Sequence, residues 1–208
     1  MKPKPQTTKT PPLALPAAPL PLYHVANAFS AAECAEIRGY ATSMANEHHG
    51  SVGFGGRQVQ HDMRRSTVRW LSPAQPAMAE VAARFRLHLL KANIGATGYG
   101  IDYRDFAELQ FTTYAAWQEG HYDWHRDDNP GGTTAWDRVL SVVVLLSAPT
   151  EFEGGILELD GYVPPALAQG SLVVFPSAVK HRVTPVTSGV RHSLVTWAYG
   201  PVRGKDER

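Results

Sequence analysis

Two periodicities divide the chain. Up to about residue 95 the apolar positions recur mostly at helical spacing, and from about residue 103 short apolar runs alternate with turn residues. "YHVANAFSAAECAEIRGYATSMA" predicts a short strand and then a helix: Ser30 and Glu33 make a capping box, and alanine-rich sequence follows. "SPAQPAMAEVAARFRLHLLKANIG" predicts a second helix, with Met78, Val81, Phe85 and Leu89 on one stripe, prolines at its start and Gly95 after its end. "AELQFTTYAAW", "HYDWHRD", "RVLSVVVLLSA", "GGILELDG", "GSLVVFPS", "HRVTPV" and "VRHSLVTWAYG" predict strands. They are short, β-branched and aromatic, and separated by Gly, Pro, Asp or Asn. Such spacing points to a sandwich or jelly roll, and helices followed by strands make the fold α+β, with the helices buttressing one sheet.

Two segments stand apart from this pattern. "NEHHGSVGFGGRQVQHDMRRSTVRW", with four glycines between 50 and 56, is too long and glycine-rich for a plain connection. It predicts a mobile loop near the functional site, acting as a lid. The N-terminal stretch is basic and then apolar, but prolines at 11, 12, 16, 19 and 21 forbid the helix of a secretory signal. Residues 1–21 therefore predict a disordered, polyproline-type tail, and 22–208 a single domain.

Composition narrows the chemistry. With 43% hydrophobic and 19% charged residues the chain has a globular balance, and a net charge of +1 provides no footprint for nucleic acid or an anionic membrane. No apolar run approaches the ~20 residues of a membrane span. The single cysteine, Cys34, excludes an internal disulfide and fits a reducing, cytoplasmic compartment. It also excludes a cysteine-rich zinc site, so any metal falls to histidines and carboxylates.

Most of the nine histidines read as surface or core residues. His48 and His49 lie in the glycine loop, where they are candidate substrate contacts. His88 sits on a helix without a partner at ligand spacing. His61 has a neighbouring carboxylate, but adjacent residues on a strand face opposite ways. Two pairs differ from the rest: His121 with Asp123, and His125 with Asp127. A histidine and an aspartate two apart on a strand share a face, which is how two of the three ligands of a non-heme iron site are presented. The pairs are four residues apart and share strand parity, so alternation does not choose between them. Position favours the second, because Asp127 is followed at once by "DNPGG", at a strand end where a pocket mouth opens. "FPSAVKHRVTPV" offers His181 as a third ligand, and "GVRHSLVTW" places Arg191 and Ser193 on one strand face, where a guanidinium fork suits a carboxylate.

"YDWHRD" at 122–127, "EGGILEL" from Glu153, "GSLVVFPSAVKH" at 170–181 and "GVRHSLVTW" from Gly189 together resemble the prolyl 4-hydroxylase-like iron(II)/2-oxoglutarate dioxygenases. The resemblance covers about residues 108–200, and "FSAAECAEI" is similar to the family's opening. It implies a double-stranded β-helix of cupin-like, jelly-roll form. It also implies that His125, Asp127 and His181 hold iron, and that Arg191 and Ser193 anchor the distal carboxylate of 2-oxoglutarate. The family's Tyr-x-x-His-x-Asp pattern fits Tyr122 to Asp127, which favours the second pair. Iron(II), 2-oxoglutarate and dioxygen are the implied cofactors, with ascorbate as an accessory reductant. The implied reaction is hydroxylation of a C–H bond, of a prolyl or other amino-acid residue, with 2-oxoglutarate converted to succinate and CO2. The substrate is a small molecule, a peptide or a protein. There are departures: leucine, near Leu145, stands where many members carry a co-substrate-binding tyrosine. Tyr114, with Gln110, is the candidate replacement from the preceding strand. "YAAWQEGHY" is also longer than the family's usual turn.

Trp124, Trp197 and the β-branched strand residues are candidates for the apolar wall of such a site, or plain barrel core. A non-catalytic cupin-like metal sensor would have no need of Arg191 and Ser193. A nucleic-acid-demethylating oxygenase finds support only in Arg64, Arg65 and Arg69 of "MRRSTVRW". A zinc hydrolase lacks any HExxH-type arrangement.

Overall fold

The computed structural model describes residues 22–52, 59–95, 99–106, 108–129, 135–162 and 166–201. The predicted tail, residues 1–21, and the centre of the glycine-rich stretch, residues 53–58, lie outside the described residues. Two helices form where the caps and stripes place them. α1 spans Ala31–Ser43, with the Ser30 hydroxyl accepting from the Glu33 amide at 3.2 Å and the Glu33 carboxylate accepting from the Ser30 amide at 2.7 Å. α2 spans Ala79–Ile94 after a single 3-10 turn at Pro76–Met78. Its buried face carries Val81, Phe85 and Leu89, and Met78 is buried in the turn before it.

The strands are β1 (Tyr23–Val25), β2 (Glu47–His49), β3 (Arg64–Arg65), β4 (Thr67–Leu71), β5 (Leu109–Ala115) and β6 (His121–His125). They continue with β7 (Trp136–Leu145), β8 (Phe152–Gly154), β9 (Leu157–Leu159), β10 (Leu172–Pro176), β11 (His181–Val183) and β12 (Val186–Pro201). A larger sheet has the order β1-β10-β7-β12-β5-β4-β2, with β8 also paired to β12, and a smaller one has the order β3-β6-β11-β9. Neighbouring strands are antiparallel throughout. This is the jelly-roll architecture expected from the run of short strands.

Strict alternation sorts the larger sheet into two faces. Leu109 and Phe111 of β5, Leu140, Val142 and Val144 of β7, and Leu172 and Val174 of β10 pack with the helices in one core. Burying Phe85 and Leu89 there contributes roughly 1.5–3 kcal/mol each, which makes the helices a rigid backing for the sheet. The intervening positions, among them Tyr114, Val143, Val173 and Phe175, face the space between the sheets. Polar residues on that inner face, Gln110, Thr112, Ser141 and Ser193, are buried as well, which marks it as a site rather than a plain core.

The described parts of the stretch 46–70 are more than a loop, while the centre of the expected lid lies outside the described residues. The stretch contributes β2, β3 and β4, two of them in the larger sheet and one in the smaller. His48 and His49 are exposed residues of the edge strand β2, paired with Val68 and Thr67, and do not line the cavity described below. The strand expected at 190–200 is also longer than its apolar run, because β12 begins at Val186, where it pairs with Gly154 of β8.

Candidate active site

Between the two sheets lies a cavity of about 480 Å³ whose lining includes His125, Asp127, His181, Arg191 and Ser193. β11 lies antiparallel to β6, with His181 directly opposite His125. Asp127 follows the end of β6, where its amide donates to the Ser177 carbonyl at 3.0 Å. One ligand-type atom from each of His125, Asp127 and His181 falls within 4.8 Å of the others. His125 Nε2 lies 3.7 Å from one Asp127 oxygen, and His181 Nε2 lies 3.5 Å from the other.

The surroundings prepare these groups to bind a cation. His125 Nδ1 meets the Asp123 carbonyl at 2.7 Å, and His181 Nδ1 meets the Val179 carbonyl at 2.9 Å. Each Nδ1–H is thereby committed to the backbone, which leaves both Nε2 lone pairs free. Burial, helped by the neighbouring His181, pulls the His125 pKa down to about 3, so its imidazole is neutral near pH 7. Burial would raise the Asp127 pKa, but His181, His125, Arg138 and the Ser141 hydroxyl together hold it at about 2. The Ser141 hydroxyl donates to Asp127 Oδ2 at 2.7 Å and sits 2.9 Å from the Ser177 hydroxyl. Two imidazoles presenting Nε2 and one ionised carboxylate on one side of a cavity fit iron(II), with open positions left on the cavity side.

The first His-x-Asp pair does not reach this site. Both ring nitrogens of His121 face backbone carbonyls, Glu119 at 2.7 Å and Asp62 at 3.2 Å, and exposed Asp123 accepts from the Trp124 amide. The expected common parity of His121 and His125 fails for a definite reason. The register of β6 against β11 shifts between the His125–His181 and Tyr122–Val183 partners, a bulge that inserts one residue and reverses which side of the strand faces the cavity. Tyr122 and His125 consequently both line it, their rings stacked 3.5 Å apart at 11°. Trp124 is left outside the wall: it is 38% exposed, with the Arg182 guanidinium 4.9 Å from its ring. Trp197 does line the cavity.

At the other end of the inner face, Arg191 is 1% exposed, and its Nε and Nη1 have no hydrogen-bond partner among the described residues. Burial lowers its pKa, yet a guanidinium stays charged in proteins. It pairs across the sheet with Tyr114, whose ring centroid lies 5.5 Å from Cζ, and Ser193 follows two residues along the same face. Leu145, opposite Ser193, keeps its position apolar, and Tyr114 lines the cavity with Ser193. Gly155 sits at φ +58°, and a Cβ there would stand 2.8 Å from Arg191 Cδ. The paired glycines of "EGGILEL" are thus required by backbone shape and by clearance for the arginine.

Several residues in or behind the cavity wall carry no role in the sequence-based expectations. Ser141 is the polar residue inside "RVLSVVVLL", a visible signal. Arg138 stacks on Trp197, with Cζ 3.7 Å from the ring centroid, and Trp70 packs beside Trp197 at 6.2 Å. The arginines of "MRRSTVRW" are largely committed within the fold. Arg64 is buried, while Arg65 pairs with Glu119 and Arg69 with Glu47. His61 packs edge-on against His49, and His88 bonds the Tyr23 hydroxyl at 2.9 Å; neither lies in the cavity.

Comparison with known proteins agrees with this geometry. Residues 109–199 match the model of the 2OG-Fe(II) oxygenase superfamily. A PKHD-type hydroxylase of Gloeothece citriformis is 34% identical over 108 residues, a match that takes in 50% of this chain and 48% of the relative, so the chain spans about half its length. A PKHD-type hydroxylase of Bordetella pertussis is 30% identical over 196 residues, 90% of this chain and 82% of the relative. In fold, a Pseudomonas putida prolyl-4-hydroxylase superposes with a TM-score of 0.66 at 23% identity, covering 88% of this chain and 93% of its own. A prolyl hydroxylase from Trichoplax adhaerens, solved with a peptide fragment of hypoxia inducible factor, gives 0.68 at 15% identity, covering 90% and 85%. The Bordetella match runs through both helices and both sheets, and with it the chain belongs to the 2OG-Fe(II) oxygenase superfamily, among the PKHD-type hydroxylases.

Proposed function

We propose that this chain is an iron(II)- and 2-oxoglutarate-dependent dioxygenase that hydroxylates a C–H bond of a prolyl or other amino-acid residue. One observation carries the reading: a His-Asp-His cluster shares one cavity with a buried guanidinium whose Nε and Nη1 have no hydrogen-bond partner among the described residues. His125, Asp127 and His181 would hold the iron, and Arg191, with Ser193 and Tyr114, would hold the distal carboxylate of 2-oxoglutarate. When bound, iron(II) with 2-oxoglutarate and dioxygen supplies an oxidative decarboxylation to succinate and CO2 that drives hydroxylation of an unactivated C–H bond. The chain's own part is to keep Asp127 ionised and both Nε2 atoms turned to the site, to orient the co-substrate through the Arg191 fork, and to hold the site dry between two sheets. Ascorbate would serve as the reductant that keeps the iron ferrous.

A peptide or protein substrate is favoured by the Trichoplax relative in fold, which was solved in complex with a peptide fragment. Among the described residues no helix is long and apolar enough to cross a membrane, and the one cysteine, buried Cys34, favours a reducing compartment such as the cytoplasm. The test is succinate release from 2-oxoglutarate with iron(II) across a panel of peptides and free amino acids. Release that depends on iron and disappears in His125→Ala supports the reading. Failure of 2-oxoglutarate to bind the metal-loaded protein ends it.

A further inference from the structure

The charge of the cavity is not balanced by the groups assigned so far. This inference rests on the functional reading above. Iron(II) and 2-oxoglutarate cancel one another, which leaves Arg64, Arg138 and Arg191 facing Asp127 and Glu108, and Glu108 is exposed. A buried positive charge therefore persists with the co-substrate in place, and such a charge is costly unless it is paired.

Arg64 is the arginine built most firmly into the wall. It is 6% exposed, and it comes from β3, which pairs with β6 at Tyr122. Nε donates to the Ser66 hydroxyl at 2.8 Å, Nη1 to the Ser51 carbonyl at 3.1 Å, and Nη2 to the Gln110 side-chain oxygen at 3.0 Å. All three acceptors are neutral, and among the described residues Arg64 makes no ion pair. Its Cζ lies 4.5 Å over the ring of Tyr122, the ring that stacks on His125. A guanidinium carries five N–H groups, so two remain, one on each terminal nitrogen. Three bonds and a ring fix the plane of this group beside the metal cluster without pairing its charge with an anion. A Cβ on Gly50 would fall 2.5 Å from Arg64 Nε, so the backbone is trimmed to admit it.

We propose that Arg64 is a second anion-binding residue of this cavity, distinct from the 2-oxoglutarate anchor, and that it selects substrates bearing a carboxylate near the carbon to be hydroxylated. A guanidinium held in one orientation loses little freedom on pairing, so it discriminates a carboxylate from its amide.

The test uses manganese(II) in place of iron, saturating 2-oxoglutarate, and glutarate as a probe of the second site, read by calorimetry on the full chain. We expect one equivalent of glutarate to bind in addition to 2-oxoglutarate. Arg64→Gln should weaken glutarate at least tenfold while leaving 2-oxoglutarate within threefold, and Arg64→Lys should restore part of the loss. Absence of a second equivalent in the wild-type protein overturns the proposal without recourse to any variant. So does glutarate binding that survives Arg64→Gln, and so does a tenfold loss of 2-oxoglutarate in that variant, which would move Arg64 into the co-substrate site. Failure of 2-oxoglutarate itself to bind strikes the functional reading and is seen separately, before glutarate is added.

Discussion

Replacing Arg191 by methionine should separate two roles of one buried charge. In the free protein the guanidinium is 1% exposed, and two of its three nitrogens have no hydrogen-bond partner among the described residues. An unpaired buried ion costs several kcal/mol even after relaxation. Methionine fills much of the same volume without the charge, so the free variant should melt a few degrees above the wild type. With 2-oxoglutarate bound the balance reverses, because a buried charge pair that loses one partner costs roughly 3–5 kcal/mol. At ~1.4 kcal/mol per tenfold, that is at least about two orders of magnitude in affinity.

Thermal shift with manganese(II) reads both effects at once. At 100 times its dissociation constant 2-oxoglutarate stabilises the wild type by ~2.7 kcal/mol. For a domain of this size each kcal/mol moves the midpoint by about 2–4 °C, so the wild-type shift should be roughly 5–10 °C. At the same concentration the variant, at least about 100-fold weaker, should gain no more than ~0.4 kcal/mol, or about 1–2 °C. A full ligand-induced shift in the variant would show that the distal carboxylate is anchored elsewhere. A free variant that melts well below the wild type would show that Arg191 already has a stabilising partner.

The remaining predictions concern the metal cluster and its surroundings. His125→Ala should abolish metal binding while His121→Ala leaves it nearly intact, as metal titration of the two purified variants will show; loss in the His121 variant alone would reverse the assignment. Ser141→Ala removes the hydrogen bond to Asp127 and should weaken the metal by about 10–100-fold with the fold retained, measured by chelator competition. His192, stacked on Phe111 at 5.3 Å, has its pKa lowered to about 4 by burial first and then by Arg38. Its folded pKa lies below the unfolded value of ~6.5, so stability is full above that pH and falls as pH drops toward 4. His192→Asn should flatten that part of a denaturant-midpoint profile, and an unchanged slope would locate the acid sensitivity elsewhere.

How much of this was legible in the sequence depends on how local each cause is. The capping box at Ser30 and the stripe through Phe85 and Leu89 are encoded within a few residues of the elements that they specify, and both helices formed as expected. The strands after residue 103 carry their apolar alternation openly. β2, by contrast, reads Glu-His-His and β3 is two arginines; neither has an apolar face, and each exists because a partner strand supplies its hydrogen bonds. Arg64 looked like surface charge for the same reason, since nothing local announces that Tyr122, Gln110 and Ser66 close around it.

The two His-x-Asp pairs show where alternation stops being a guide. On a regular strand His121 and His125 would face the same way, and the cavity would receive two histidines from β6 with no means of choosing between them. The bulge opposite β11 breaks that equivalence: it carries Tyr122 to the cavity side ahead of His125 and leaves His121 held between backbone carbonyls on the other side. A bulge is a property of two strands together, and β11 lies more than fifty residues further along the chain, so no window around residue 121 contains it. The signal that did survive in the sequence was Tyr122 itself, an aromatic whose ring now covers the face of His125. Stacking of that kind restricts the imidazole to one orientation before any metal arrives, and it requires the same extra residue that turns His121 away. The arrangement that aims His125 at the site and the one that excludes His121 are therefore a single irregularity of the backbone.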